Sequence, residues 1–178
     1  MTPASTADSA PSLPHYRFKN PGLLAEALTH KSHVNERKGA TRSHNERLEF
    51  LGDAVLSLII SDHLAQLYTQ LSEGALSKLK ANLVSESSLA QAARRMNLGA
   101  MLRLGRGEEL SQGREKNSLL ADALEAVIAA VYLDGGLEAS RTFTLGVMQE
   151  ELRQAEAHQS TPGAADYKSR LQEWCQKR

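Results

Sequence analysis

The sequence predicts an all-α domain, and three observations lead there. Apolar residues recur at helical spacing along almost the whole chain, and convincing period-two alternation is missing. Residues suited to helix starts (Pro21-Gly22, Ser43 or Asn45, Ser85 and Ser118) stand ahead of the apolar runs. Glycine-bearing stops (Asn97-Leu98-Gly99 and Asp134-Gly135-Gly136) stand behind them.

Residues 1–14 are rich in Ser, Pro, Ala and Thr and hold no Lys or Arg. They lack the positive start and apolar middle of a secretory signal and read as a disordered tail. Pro21-Gly22 opens a helix through Leu23, Leu24, Ala27 and Leu28, and the polar stretch 33–43 reads as a loop or helix end. A long helix follows from about Asn45 to Leu67. Ser72-Glu73-Gly74 then marks a turn into a mixed basic helix, Ala75 to Leu83. Ser85 caps another that ends near Gly99. Residues 104–116, with Gly105, Gly107, Gly113 and many charges, read as a loop. Ser118 caps a strongly apolar helix, Leu119 to Leu133, stopped by Asp134-Gly135-Gly136. An amphipathic helix covers about Leu137 to Ala155, and His158 to Ala165 reads as a linker around Pro162-Gly163. Beyond it Tyr167, Leu171, Trp174 and Cys175 fall at helical spacing on one face.

A chain of 178 residues can build one domain with a substantial core, plus tails. Its 21 basic and 21 acidic residues cancel, which argues against a strongly basic coat for nucleic acid but leaves room for a local basic face. Aromatics at 4% disfavour stacking platforms for single strands. A single cysteine, Cys175, excludes an internal disulfide. No stretch approaches the roughly 18–20 apolar residues of a membrane span. Together these point to a reducing, cytoplasmic setting.

The unusual feature is a set of acids on helices that are otherwise apolar. Glu46, Glu49 and Asp53 lie at i, i+3 and i+7, within an arc of roughly 60°. They sit among Leu48, Phe50, Leu51, Val55, Leu56, Leu58, Ile59 and Ile60. Asp122 and Glu125 likewise interrupt the run Leu119, Leu120, Ala121, Leu124, Val127, Ile128 and Val131. Two carboxylates about 5 Å apart repel by roughly 3 kcal/mol at an effective dielectric of about 20, and burial adds several more per ion. No Lys or Arg lies within Leu48 to Gln66 or Leu119 to Leu133. Two readings stay open on these residues alone: a solvated acidic face on each helix, or a shared divalent cation such as Mg²⁺, which favours carboxylate and water ligands. A di-iron bundle would need Glu-x-x-His pairs, which are absent.

These residues also carry a resemblance. Asn45-Glu-Arg-Leu-Glu-Phe-Leu-Gly-Asp-Ala-Val-Leu56 resembles the signature of bacterial ribonuclease III. Ala27-Leu-Thr-His-Lys-Ser32, Glu73-Gly74 with Leu76-Ser77, and Leu120-Ala-Asp-Ala-Leu-Glu-Ala-Val127 resemble further family elements in the same order. Together they cover roughly residues 15 to 155, far more than one short motif. The resemblance implies a Mg²⁺-dependent endonuclease for double-stranded RNA, with Mn²⁺ able to substitute. It acts as a homodimer on rRNA and mRNA precursors and leaves 5′-phosphates, 3′-hydroxyls and short 3′ overhangs. It implies that Glu49, Asp53, Asp122 and Glu125 bind metal, Glu125 as a direct ligand, with Asp53 also helping to place the hydrolytic water. It further implies that Asp53 and Glu125 are catalytic, that Glu46 and Glu73 help position RNA, and that Phe50 plugs into the partner subunit; from sequence alone Phe50 would be an ordinary core residue. An alternative is a catalytically silent RNA-binding domain of the same fold, which would have no need of all four inner acids.

The remaining candidates read more plainly. His30 reads as structural, and His44 and His63 as surface or packing residues. Lys78, Lys80, Arg94, Arg95, Arg106 and Arg114 either contact phosphates or form a solvated face. Asp166 to Arg178 resembles the opening helix of a double-stranded-RNA-binding domain, and thirteen residues cannot build the rest of one. The expected organisation is therefore a tail (1–14), a nuclease domain (15–155), a linker (156–165) and a remnant helix (166–178).

Overall fold

The computed structural model describes residues 13–36 and 43–159. Its helices run α1 (Pro21–Ala27), α2 (Lys31–Asn35), α3 (Glu46–Leu67), α4 (Glu73–Leu83), α5 (Glu86–Arg95), α6 (Leu98–Met101), α7 (Arg106–Leu110), α8 (Asn117–Val147) and α9 (Gln149–Gln159), with a 3₁₀ turn at Gly113–Glu115 before α8. The fold is all-α: among the described residues the only β-type pairings are isolated bridges, Leu13 with Tyr16 and Thr29 with Arg103. No described helix is long and apolar enough to cross a membrane.

α8 is the central helix. Between Leu120 and Val131 only Asp122 and Glu125 escape full burial, because α3, α5 and α1 cover its different sides. α3 turns Leu48, Val55, Leu56, Ile59, Ile60 and Leu64 inward, the spacing of a single helix face. α5 contributes Leu89 and three alanines, Ala90, Ala92 and Ala93, whose small side chains let it approach α8 closely. Each large aliphatic side chain so buried stabilises the fold by roughly 1.5–3 kcal/mol.

Several boundaries differ from the sequence expectation. Leu13, placed in the tail, is buried against the core, so the folded part starts earlier than residue 15. Residues 104–116 are not an open loop. They form α7 and the 3₁₀ turn, cross-braced by Arg114 to Glu109, by Lys116 Nζ to Glu108 Oε2 at 2.9 Å, and by Arg114 Nη1 donating to the Gly99 carbonyl at 2.6 Å. Ser118 is not the cap of α8. The helix begins at Asn117, and Lys116 stands at the cap without a side-chain bond.

The stop expected at Asp134-Gly135-Gly136 is present: α8 is two helical segments that meet at a break there. Gly136 alone takes φ 80°, ψ −177°, and helical geometry resumes after it. A further break falls at Met148, inside the helix expected over 137–155, after which α9 runs through Gln159 and takes in residues 156–159, expected as linker. Asn45 is the residue ahead of α3, but its side chain makes no capping bond. Asn20 does cap α1, accepting from Gly22 N at 3.0 Å, and Ser72 and Ser85 cap α4 and α5. The expectations for 1–12, for most of the 33–43 stretch, and for the remnant helix 166–178 lie outside the described residues.

Candidate active site

The crossing of α3 and α8 brings the two acidic stretches together. It is tight because Gly52 has no side chain: a β-carbon there would lie 1.9 Å from the Glu125 carbonyl oxygen. Glu49 and Asp53 flank this contact on α3, and Asp122 and Glu125 flank it on α8.

The electrostatics reflect that meeting. Burial, then the charges of Asp53, Asp122 and Glu49, push the Glu125 carboxyl up to about 7. Glu49 is raised by burial, then by Asp122 and Glu46, and Asp122 by burial, then by Glu86. Among the described residues, none of the four inner carboxylates has a hydrogen-bond or ion-pair partner.

A cleft of about 280 Å³ opens beside them, lined by His30, Lys31, Asn45, Glu46, Glu49 and Asp122. Asp53 and Glu125 are not part of its lining, Asp53 being exposed and Glu125 half-buried. No three His, Cys, Asp or Glu side chains among the described residues converge on a single cation position as they stand. The acids are therefore neighbours rather than a closed ligand cage.

Three cleft residues escaped the sequence reading as site residues: His30, Lys31 and Asn45. The 28–31 segment is pinned by backbone bonds from Arg103 N to Leu28 O (2.8 Å), His30 N to Arg103 O (3.0 Å) and Asn45 N to Thr29 O (2.9 Å). Lys31 Nζ then stands 2.7 Å from Glu46 Oε1, and this pairing draws the Glu46 carboxyl below its ordinary range. The His30 Nδ1 lies 2.8 Å from Ser32 Oγ, and burial lowers its ring pKa. Asn45 is buried, with an Oδ1 that has no hydrogen-bond partner among the described residues. In the sequence, His30 and Lys31 were marked only by the Leu-Thr-His-Lys-Ser element, and Asn45 only as a helix-start candidate and the first residue of the 45–56 signature.

The other predicted residues fall elsewhere. Glu73 starts α4 beyond the far end of α3, accepting from Ser77 Oγ at 2.7 Å, so it stands about 30 Å of helix from Glu46 within one chain. Phe50 is not a core residue: it is 83% exposed, on the same α3 stripe as the exposed Ala54 and Leu58. Three of the suggested phosphate contacts are engaged within the fold. Arg94 donates to Glu115 O and Asn117 Oδ1, Arg95 pairs with Glu151, and Arg114 with Glu109. A larger cavity of about 380 Å³ lies where α5 meets α9, lined in part by Arg95, Glu150 and Arg153. Its two arginines are already matched by Glu151 and Glu150, and it is remote from the acids.

The chain is similar to known proteins. A family model described as Ribonuclease-III-like matches residues 20–152. A protein named Ribonuclease 3 from Desulforamulus reducens is 51% identical over 158 residues, covering 89% of this chain and 63% of its own length. Ribonuclease 3 from Caldanaerobacter subterraneus subsp. tengcongensis is 52% identical over 161 residues, covering 89% and 68%. The chain thus spans about two thirds of such relatives. A solved nuclease domain of ribonuclease III from Campylobacter jejuni superposes with a TM-score of 0.71 at 43% identity, over 78% of this chain and 92% of that one. It is described as having structural flexibility in a region involved in dimer formation.

Proposed function

This chain belongs to the ribonuclease-III-like family, and we propose that it is the cutting domain of a divalent-metal-dependent endonuclease for double-stranded RNA. The observation that carries this is the set of four carboxylates at the Gly52–Glu125 crossing, none of them in a hydrogen bond or an ion pair among the described residues. A fold that gathers Glu49, Asp53, Asp122 and Glu125 and lets their charges oppose one another gains from a hard divalent cation. The donor chemistry fits Mg²⁺, with Mn²⁺ as a substitute.

Glu49, Asp122 and Glu125 would hold the metal, with Asp53 beside them. The bound ion would supply an activated water and neutralise charge at the leaving 3′ oxygen. Asp53, exposed at the edge of the cluster, would accept a hydrogen bond from the attacking water and orient it toward phosphorus. Glu46, at the cleft mouth, would help place the RNA. The products would be a 5′-phosphate and a 3′-hydroxyl. Glu73 is too distant to share this role within one chain, so any part it plays in RNA placement falls elsewhere on the duplex or across a dimer. Phe50, with its side chain in solvent, fits a contact to a second copy of the chain.

The test is incubation of a labelled RNA duplex with the protein and Mg²⁺, beside Glu125→Gln. Cleavage with short 3′ overhangs by the unaltered chain, lost on substitution, is the expected result. Duplex binding without cleavage by the folded, unaltered chain would instead favour a silent RNA-binding domain.

A further inference from the structure

We propose that Lys31 is a substrate contact, taking a phosphate of the duplex backbone in exchange for its ion pair with Glu46. This rests on the reading of the chain as a nuclease for double-stranded RNA. An RNA strand entering the cleft meets the carboxylates of Glu46, Glu49 and Asp122. A cation held by the inner acids would offset the charge of the phosphate at the scissile bond, but neighbouring phosphates along the strand would still face acidic side chains. Among the described residues lining the cleft, Lys31 is the one Lys or Arg.

The backbone bonds that pin residues 28–31 to Arg103 and Asn45 fix Lys31 at the first turn of α2, directly at the cleft mouth. Its partner offers little resistance to exchange. The two side chains are 55% and 47% exposed, so water already screens the pair. A lysine has three donors on a flexible stem and can turn from Glu46 to a phosphate oxygen without moving α2. Arg94 is committed to α8, Arg114 to Glu109 and Lys116 to Glu108. His30 is held toward its neutral form by burial and bonds Ser32, so it does not supply the charge.

The experiment compares the unaltered chain with Lys31→Ala, Lys31→Gln and Lys31→Arg. Cleavage kinetics are measured in Mg²⁺, and duplex binding against salt is measured in the Glu125→Gln background. Loss of the lysine should raise KM about 5–10-fold with kcat within about twofold, and should reduce the slope of log affinity against log salt by about one, with Arg restoring both. A role confined to bracing Glu46 would leave the salt slope at its parental value and be reproduced by Glu46→Gln; either result overturns the proposal. Thermal unfolding of Lys31→Gln shows whether α2 stays docked, and a KM effect that tracks lost stability also overturns it. If the unaltered chain neither binds nor cuts duplex RNA, the nuclease reading falls and this contact with it. If the chain cuts and the slope is unmoved by the lysine, only the contact falls.

Discussion

Gly52 of α3 touches the backbone of Glu125 on α8: a β-carbon on the glycine would stand 1.9 Å from the Glu125 carbonyl oxygen and 2.4 Å from its carbonyl carbon. The atoms in the way belong to the backbone of a buried helix and cannot swing aside. A glycine inside a helix costs about 0.5–1 kcal/mol relative to alanine. Here that cost accompanies the contact that holds both acidic stretches in one place.

Gly52→Ala should therefore destabilise the chain by about 1–3 kcal/mol, the range of overpacked interiors, and separate the acids as well. Gly74→Ala is the control. Nothing lies within 4 Å of a β-carbon at Gly74, inside the first turn of α4, so it should be neutral or stabilise by up to about 1 kcal/mol. Urea unfolding of both variants, with equal m-values, checks the contrast.

The Glu125 carboxyl, raised to about 7 from 4.5, makes stability depend on pH. Between those values the unfolded chain has released this proton while the folded chain still binds it, so metal-free stability falls as pH rises from about 4.5 to about 7 and then levels. Glu49 and Asp122 are shifted in the same direction and add to the trend. For Glu125 the effect should be on the order of 1–2 kcal/mol, reduced from the full shift because the group is still partly solvated. Glu125→Gln should flatten the profile and be more stable than the parent at pH 8 in the presence of a chelator, as read by unfolding midpoints.

Metal binding runs against that proton. Mg²⁺ at about 100-fold above its Kd should raise the unfolding midpoint by roughly 5–11 °C at pH 8. The gain should shrink at pH 6, where Glu125 holds its proton and competes with the ion. Asp122→Asn and Glu125→Gln should lose most of it. An equal shift in all three proteins at both pH values would place the ion elsewhere.

Phe50→Glu tests the exposed stripe on α3. With 83% of the residue in solvent, the substitution should leave the fold of a single chain intact, within about 0.5 kcal/mol. Sedimentation should show dimers for the parent and monomers for the variant. A variant that remains dimeric would move the contact off this face.

Much of this arrangement was legible from spacing. The i, i+3, i+7 acids of α3 and the i, i+3 pair of α8 stood out because carboxylates are costly among apolar neighbours, and the structure places the inner four at one helix crossing. Phe50 was legible only through the resemblance. Periodicity around it reads as core, and its exposure follows from which side α8 packs on. Residues 104–116 looked like loop because glycines and charges dominate, yet salt bridges between residues five to eight apart fold them into short helices.

The sequence by itself determined the helical class, the long apolar helices and the identity of the acids, since these depend on residues within one or two turns of each other. Tertiary structure decided the rest. Gly135 and Gly136 look alike in sequence, but only Gly136 takes the positive φ, and the helical segment beyond that break buries Phe143, Thr144 and Val147 in the same core. The contact of Gly52 with Glu125 and the delivery of Lys31 to the acids join residues far apart in the chain. Neither leaves a local signature, because a close approach between helices or a backbone bond from Arg103 to Leu28 is a property of the packed core.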